Sequence, residues 1–214
     1  MRLVRMICGP LSVNTYIVGA QNTDECVVID PGDAAPVIGY LEKTGLRCTH
    51  ILITHGHYDH IGGVSELHEF SHAIVCIHEK DAAMLKSKRS SLAGMIGAQF
   101  LESDADVLLH DGDEFDAAGL HFRVLHTPGH SRGGVCYVLD QERVIFCGDT
   151  LFFESAGRTD FPGCSQKELY RSIVEKLYAL EGDYDVYCGH EIQTSLAHER
   201  ANNPFTSYGK KFQW

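Results

Sequence analysis

The stretch Thr54-His55-Gly56-His57-Tyr58-Asp59-His60 decides how the rest of this 214-residue chain is read. It begins where the apolar run Ile51-Leu52-Ile53 ends. A short apolar run of that kind is a buried strand, and side chains leaving a strand end stand at the rim of a sheet, where sites are built. His55 and His57 are two residues apart, so both imidazoles can point to one side of an extended backbone. Gly56 between them lets the chain turn tightly. Asp59 and His60 follow the bend. Four ligand-type side chains so close together are too many for one tetrahedral ion that keeps an open position, and about right for half of a two-metal site. Packing them without a metal would be costly, because polar groups would be desolvated without partners.

Working outward, three more ligand types stand at strand ends, each directly after a glycine. His130 ends Leu125-His126-Thr127-Pro128-Gly129-His130, Asp149 ends Val144-Ile145-Phe146-Cys147-Gly148-Asp149, and His190 ends Val186-Tyr187-Cys188-Gly189-His190. Five imidazoles and two carboxylates make seven donors of the kind that suits zinc, iron or manganese. The other histidines (His50, His68, His72, His78, His110, His121, His126 and His198) read as surface or packing residues.

The remaining composition narrows the function class. Lys and Arg number 18 against 29 Asp and Glu, a formal charge of −11. That balance argues against nucleic acid as a partner, since phosphate binding runs on clustered cations. No apolar run approaches the ~18 residues of a membrane span. Arg2 and Arg5 precede Gly9, Pro10 and Asn14, which interrupt the segment before any signal-peptide core forms, so no leader is expected. The eight cysteines include no C-x-x-C pair and lie mostly in apolar runs. They read as reduced, buried thiols, which points to a cytoplasmic protein.

No linker, repeat or low-complexity segment divides the chain. Strands are expected at 3–7, 15–18, 27–29, 51–53, 73–77, 106–109, 120–126, 134–139, 143–147 and 186–188. Helices are expected at 34–44, 61–70, 79–88, from Ser165 (where Ser165 and Glu168 form a capping box) and at 194–201. The stretch 88–105 reads as loop with helical turns. Strands and helices alternate in two halves, the pattern of an α/β fold with sheets held between helical layers. One domain over 1–205 is expected. The tail 206–214 is set apart as either disordered or covering the site or an interface.

The set His55-x-His57-x-Asp59-His60, His130, Asp149 and His190 resembles the metallo-β-lactamase superfamily, in order and in strand-end placement across nearly the whole chain. Within it the sequence is similar to the small glyoxalase II-like (hydroxyacylglutathione hydrolase-like) enzymes, through Asp30-Pro31-Gly32, Thr127-Pro128-Gly129-His130-Ser131, Gly148-Asp149-Thr150-Leu151-Phe152, Tyr187-Cys188-Gly189-His190-Glu191 and Glu199-Arg200-x-x-Asn203-Pro204-Phe205. The resemblance implies an αββα sandwich with metals at one edge. It implies two divalent ions, zinc first, with iron or manganese as alternatives. His55, His57 and His130 would hold one ion, and Asp59, His60 and His190 the other, with Asp149 bridging. Asp30 matches a position that orients a ligand imidazole from behind.

The activity implied is hydrolysis of a small-molecule thioester, with Asp59 and Asp149 metal-bound and holding the attacking hydroxide. The group's full-length enzymes carry a C-terminal helical domain that holds much of the glutathione. This sequence ends soon after Phe205 and has Ile192 where the group has a glutathione-contacting Tyr. Its basic residue near Gly157 is present as Arg158, expected to bind an anionic part of the substrate. Gly157-Arg158-Thr159-Asp160-Phe161 also resembles the persulfide dioxygenases of the same fold, which use one iron. That activity and lactone hydrolysis stand as alternatives. The oligomeric state is left open.

Overall fold

The computed structural model describes residues 1–212, with the side chains of residues 208 and 210–212 left aside. Two six-stranded sheets face each other. The first half supplies β1 (Arg2–Cys8), β2 (Val13–Gly19), β3 (Glu25–Ile29), helix α1 (Ala34–Thr44), β4 (Arg47–Leu52), the short helix α2 (Tyr58–Ile61), α3 (Val64–Ser71), β5 (Ile74–His78) and β6 (Val107–Leu109). These strands lie in the order β1-β2-β3-β4-β5-β6.

The second half adds β7 (Glu114–Ala117), β8 (Leu120–His126), β9 (Val135–Leu139), β10 (Val144–Gly148) and a small ribbon of β11 (Leu151–Phe152) and β12 (Ser155–Ala156). Then come α4 (Gln166–Arg171), β13 (Asp185–Cys188), β14 (Thr194–Ser195), α5 (Leu196–Asn202) and α6 (Pro204–Phe212). The second sheet runs β14-β13-β10-β9-β8-β7.

The strands read as unbroken apolar runs because both faces of each sheet are covered. Alternate residues then serve different layers. In β2, Tyr16 and Val18 enter the space between the sheets, with Phe122, Tyr137 and Phe146 from the second sheet. Val13 and Ile17 turn the other way and pack with Val37 and Leu41 of α1 and Leu67 of α3. On the outer face of the second sheet, Cys136, Val138 and Ile145 pack with Leu169, Ile173 and Leu177. The result is the expected αββα sandwich. All eight cysteines are free, seven of them buried and Cys164 half-buried. No described helix is long and apolar enough to cross a membrane.

Local chemistry explains where the expected elements hold and where they shift. Asp33 caps α1 by accepting from the Ala35 amide at 3.0 Å, and Gly45 ends it in the left-handed region at φ 71°. The helix expected at 61–70 is two helices, because Gly63 leaves the helical path to give its amide to the Pro31 carbonyl at 2.8 Å. The helix expected at 79–88 is one 3₁₀ stretch, Ala82–Lys86. The carboxylate that could have capped it, Asp81, is spent on two distant amides instead. Ser165 does cap α4 at the Glu168 amide, 3.2 Å away. After α4 the helix widens into a π-helical turn over Ser172–Leu177, where the Ser172 hydroxyl donates to the Pro128 carbonyl at 2.7 Å.

Residues 206–212 of the stretch set apart as a tail lie in α6. Asn203 Oδ1 accepts from the Phe205 and Thr206 amides, and Asn203 is itself held by buried Glu199 at 2.7 Å. Pro204, whose fixed φ suits a first helical turn, starts α6 on the domain. The rest of that tail, Gln213 and Trp214, lies outside the described residues.

Candidate metal centre

Every ligand-type residue singled out in the sequence arrives at one edge of the sandwich. β3 and β4 are parallel, as are β10 and β13, and Asp30, the His55–His60 run, Asp149 and His190 all leave the carboxyl ends of these strands. Ligand sites in such sheets lie beyond those ends. The two sheets are tied together there. Tyr137 gives its hydroxyl to the Ile53 carbonyl at 2.8 Å, and Val135 donates its amide to Thr54 at 2.9 Å. Tyr16 reaches the Cys188 carbonyl at 2.6 Å.

Three overlapping groups form. His55, His57 and His130 lie together, as do His55, His60 and Asp149, and Asp59, His60 and His190; within each, the ligand atoms fall within 4.8 Å of one another. The imidazoles meet edge to face, with His55 and His57 centroids 4.7 Å apart and His57 and His130 also 4.7 Å apart. Asp149 lies between the groups, Oδ1 at 3.3 Å from His60 Nε2 and Oδ2 at 3.5 Å from His130 Nε2. Asp59 approaches His190 Nε2 at 3.1 Å.

The backbone makes this closeness possible at two glycines. Gly148 follows an irregularity in the β10–β13 register and sits at φ 48°, with Thr54 Oγ1 only 2.2 Å from where a Cβ would stand. A Cβ on Gly189 would lie 2.3 Å from Asp149 Oδ1 and 2.7 Å from His60 Cε1.

Ring orientation is set from behind. Asp30 accepts from His60 Nδ1 at 2.9 Å, from the Thr54 hydroxyl at 2.6 Å and from the Thr54 amide at 2.7 Å. His130 donates Nδ1–H to the Arg158 carbonyl at 2.8 Å, which leaves Nε2 as the lone-pair nitrogen. Two positioning residues carry no sequence signal. Asp81 joins the amides of Gly56 and Gly133, at 3.1 and 2.7 Å. Asn14 holds the His190 turn through the Cys188 and Glu191 carbonyls, both at 3.0 Å. Each is an isolated polar residue whose partners are main-chain atoms far away in the chain.

The electrostatics divide the cluster into neutral imidazoles and a charged pair. Burial, then the neighbouring imidazoles, pushes His55 well below its usual range, and the same causes bring His57 down to about 3. Both rings are therefore neutral donors. Burial opposes a charge on His60, but Asp149, Asp59 and Asp30 outweigh it and hold that ring well above its usual range. Burial likewise opposes the anion at Asp149, and His60 and its neighbours outweigh it, so the carboxylate stays ionised.

The residues also fit a metal by what they leave undone. His55 Nε2, His60 Nε2 and Asp149 Oδ1 are buried without a hydrogen-bond partner. Buried polar atoms are normally satisfied, and three orphans converging on one point are what a cation would satisfy.

Arg158 borders the cavity in front of this cluster, but its fork is engaged. It grips Asp160 through two hydrogen bonds of 2.6 Å, and its guanidinium lies 4.1 Å from the Phe161 ring centre. The cavity has a volume of about 640 Å³, and Leu11, Leu92, Met95, Ile96, Phe152 and Phe161 give it an apolar side.

The sequence pattern of the metallo-beta-lactamase superfamily matches residues 8–190. The chain belongs to that superfamily. A probable metallo-hydrolase of Bacillus subtilis, YqgX, is 35% identical over 207 residues, covering 96% of this chain and 97% of the relative. A hydroxyacylglutathione hydrolase of Rhodopseudomonas palustris is 36% identical over 84% of this chain and 63% of its own length. Among solved structures, the B3 metallo-beta-lactamase BLEG-1 superposes with a TM-score of 0.91 at 33% identity, covering 96% of this chain and 100% of that one. TTHA1623 in a di-iron-bound form does so with a TM-score of 0.83 at 35% identity, covering 94% and 99%. In this superfamily frame, the cluster of His and Asp side chains is a site for divalent metal ions.

Proposed function

We propose that the protein is a dinuclear metal-dependent hydrolase acting on a thioester, in the manner of the hydroxyacylglutathione hydrolases. The observation that carries the reading is the convergence of three orphaned buried ligand atoms, His55 Nε2, His60 Nε2 and Asp149 Oδ1, in a cluster of which Asp149, His57, Asp59, His130 and His190 line an open cavity. His55, His57 and His130 would hold one ion, and Asp59, His60 and His190 the other, with Asp149 between them. A pair of divalent ions held there would supply a water ionisable near neutral pH and a Lewis acid for a carbonyl oxygen. The names of the Bacillus and Rhodopseudomonas relatives support hydrolysis, and the di-iron relative supports two ions.

The choice of a thioester rests on the leaving group. Among the cavity's titratable side chains, His57, Asp59, His130, Asp149 and His190 belong to the ligand groups. Tyr58 gives its hydroxyl to the Gln99 carbonyl at 2.9 Å, and Arg158 is bound to Asp160. Glu191 at the cavity's exposed rim is the one remaining titratable side chain in the lining, so few groups are left to protonate a departing alkoxide or amine. A thiolate, with a conjugate acid near pKa ~8.5, leaves without that help.

The test is a panel measured on protein loaded with zinc, iron or manganese: S-lactoylglutathione with thiol release, a lactone, a β-lactam, and glutathione persulfide with oxygen uptake. Thioester turnover above the other three is the expected outcome. Oxygen uptake on the persulfide with a single iron per chain would overturn it.

A further inference from the structure

A second cleft of about 340 Å³ adjoins the apolar cavity and shares His57, Leu92, His130 and Phe161 with it. Lys80, Arg89 and Arg132 border it, together with both imidazoles and Phe161. An outer cavity of about 650 Å³ continues it and shares Lys80, Arg132 and Cys164. Three cations beside one cleft are notable in a chain of charge −11. Five cations elsewhere are paired with acids, Arg47 with Glu25, Lys86 with Asp104, Arg123 with Asp140, Arg158 with Asp160 and Lys176 with Asp111, and what distinguishes the cleft is that three unpaired cations share one lining. Lys80, Arg89 and Arg132 form no ion pair among the described residues.

The acids nearby do not neutralise them. Asp81 lines the cleft, but its carboxylate is buried and committed to the Gly56 and Gly133 amides. Glu168 borders only the outer cavity. The cleft is also fixed in shape. The Arg132 Nε would stand 3.0 Å from a Cβ on Gly163, and Cys164 donates its thiol to the His130 carbonyl at 2.7 Å. The loop carrying Phe161 is thereby held against a metal-ligand segment, and Phe161 lines both the apolar cavity and the cationic cleft.

We propose that this cleft binds the anionic group of the substrate's thiol half, a carboxylate or a phosphate, through Lys80, Arg89 and Arg132. The inference rests on the thioester reading for what it makes of the two cavities. The acyl group occupies the apolar side, the scissile carbonyl lies over the metal-ligand cluster, and the charged carrier extends past His57 into the cleft. The anion anchor is therefore the cleft lined by Lys80, Arg89 and Arg132 rather than Arg158, which lines the apolar cavity and whose fork is already filled. Arginine suits the role because its planar fork takes carboxylate or phosphate through two hydrogen bonds.

The test titrates two non-reactive probes into zinc-loaded protein: S-methylglutathione, which offers carboxylates, and S-methyl-coenzyme A, which offers phosphates. The wild type is compared with the triple variant Lys80→Gln, Arg89→Gln, Arg132→Gln. At least one probe is expected to bind the wild type, with Kd raised about tenfold or more in the variant and with affinity falling as salt increases. The probe that binds tells carboxylate from phosphate. Equal Kd values in the two proteins, or no binding of either probe, overturn the proposal.

A kinetic arm compares one acyl group on the anionic thiol and on uncharged N-acetylcysteamine. The ratio of their kcat/KM values should fall by about tenfold in the variant, and an unchanged ratio counts against the cleft. If the probes bind as expected while the wild type cleaves no thioester, the cleft stands and the thioesterase reading fails.

Discussion

His60 donates its Nδ1 hydrogen to Oδ2 of Asp30 at 2.9 Å, and this one bond decides which nitrogen faces the metal-ligand cluster. With Nδ1–H held by Asp30, Nε2 is the nitrogen that faces the cluster and would give up its proton to an ion there, and it is left without a hydrogen-bond partner beside Asp149. Asp30 can do this because Thr54 fills the rest of its carboxylate, and because it sits in the left-handed region at φ 50°, which Asp tolerates better than most residues. Replacing Asp30→Asn turns one of two acceptor oxygens into an NH₂, so either the His60 ring or the Thr54 amide at the start of the ligand run loses its acceptor. Metal affinity should fall by about 10–100-fold, read as the chelator concentration that strips the protein. Unchanged retention would mean that His60 is oriented by something else.

Stoichiometry separates the two-ion reading from a one-iron enzyme. Asp149 borders both groups, and the expected content is close to two first-row ions per chain after careful loading. Asp59→Ala should lose one ion preferentially, since it touches only the His60–His190 side. Asp149→Asn should leave the fold intact and abolish turnover, because a neutral amide cannot balance two divalent charges. Elemental analysis that stays at one iron under metal excess would sink the dinuclear reading.

Gly189→Ala tests how tightly the cluster is closed. The added methyl would stand well inside contact distance of Asp149 Oδ1 and His60 Cε1. Gly189 also donates its amide to Gly148 at 2.8 Å and accepts from Asn14 at 2.7 Å, so the backbone has little room to retreat. The variant should bind at most one ion and lose at least 100-fold in kcat/KM, an estimate from the sensitivity of catalysis to ~1 Å displacement. Wild-type metal content in this variant would show that Asp149 moves freely.

Asp81 is the positioning residue whose loss should appear in stability as well. Its carboxylate accepts from two buried amides, on the loop carrying His57 and on the turn after His130. Asp81→Ala leaves both amides unpaired, at roughly 2–4 kcal/mol. For a chain of this size that is a Tm lower by about 4–16 °C. The ion held by His55, His57 and His130 should weaken with it, while the Asp59 side is less affected. A melting temperature within one degree of wild type would remove Asp81 from this role.

What could be read in advance follows from where the information sits. The seven ligand types were legible because their spacing is local: a strand end, then a ligand, often with a glycine before it. The apolar strands were legible because covered sheets demand continuous runs, as in Cys26-Val27-Val28-Ile29. β7 was not, since Glu114-Phe115-Asp116-Ala117 is an edge strand whose outward residues are acidic and whose pairing with β8 is decided across the sheet. The π-helical turn was equally invisible, because Ser172 forms it with Pro128, 44 residues away. Asp81, Asn14 and the cation-lined cleft have the same character, with each assembled from segments that only the fold brings together. Arg158 shows the converse. It was expected to bind substrate, and the pairing that fills its fork is with Asp160, only two residues on.

The stacked pair His78 and His126 predicts an acid limit separate from the metal-ligand cluster. Their rings are nearly parallel, 11° apart with centroids at 4.1 Å. Burial, then the His126 ring and Lys80, brings His78 down to about 4. Burial also lowers His126, whose Nε2–H donates to the Arg132 carbonyl at 2.9 Å. Above pH ~6.5 His78 is neutral in both the folded and the unfolded chain, and it adds no pH dependence. As pH falls from there toward 4, the unfolded chain takes up a proton that the folded chain refuses, so stability is lost over that window. His78→Phe keeps a flat ring against His126 and removes one titrating group. Its Tm should therefore fall less than that of the wild type between pH 6.5 and 4. The metal-ligand histidines contribute equally to both proteins, so the difference between the two curves isolates the pair. Parallel Tm–pH curves would show that the stack opens and takes its proton without cost.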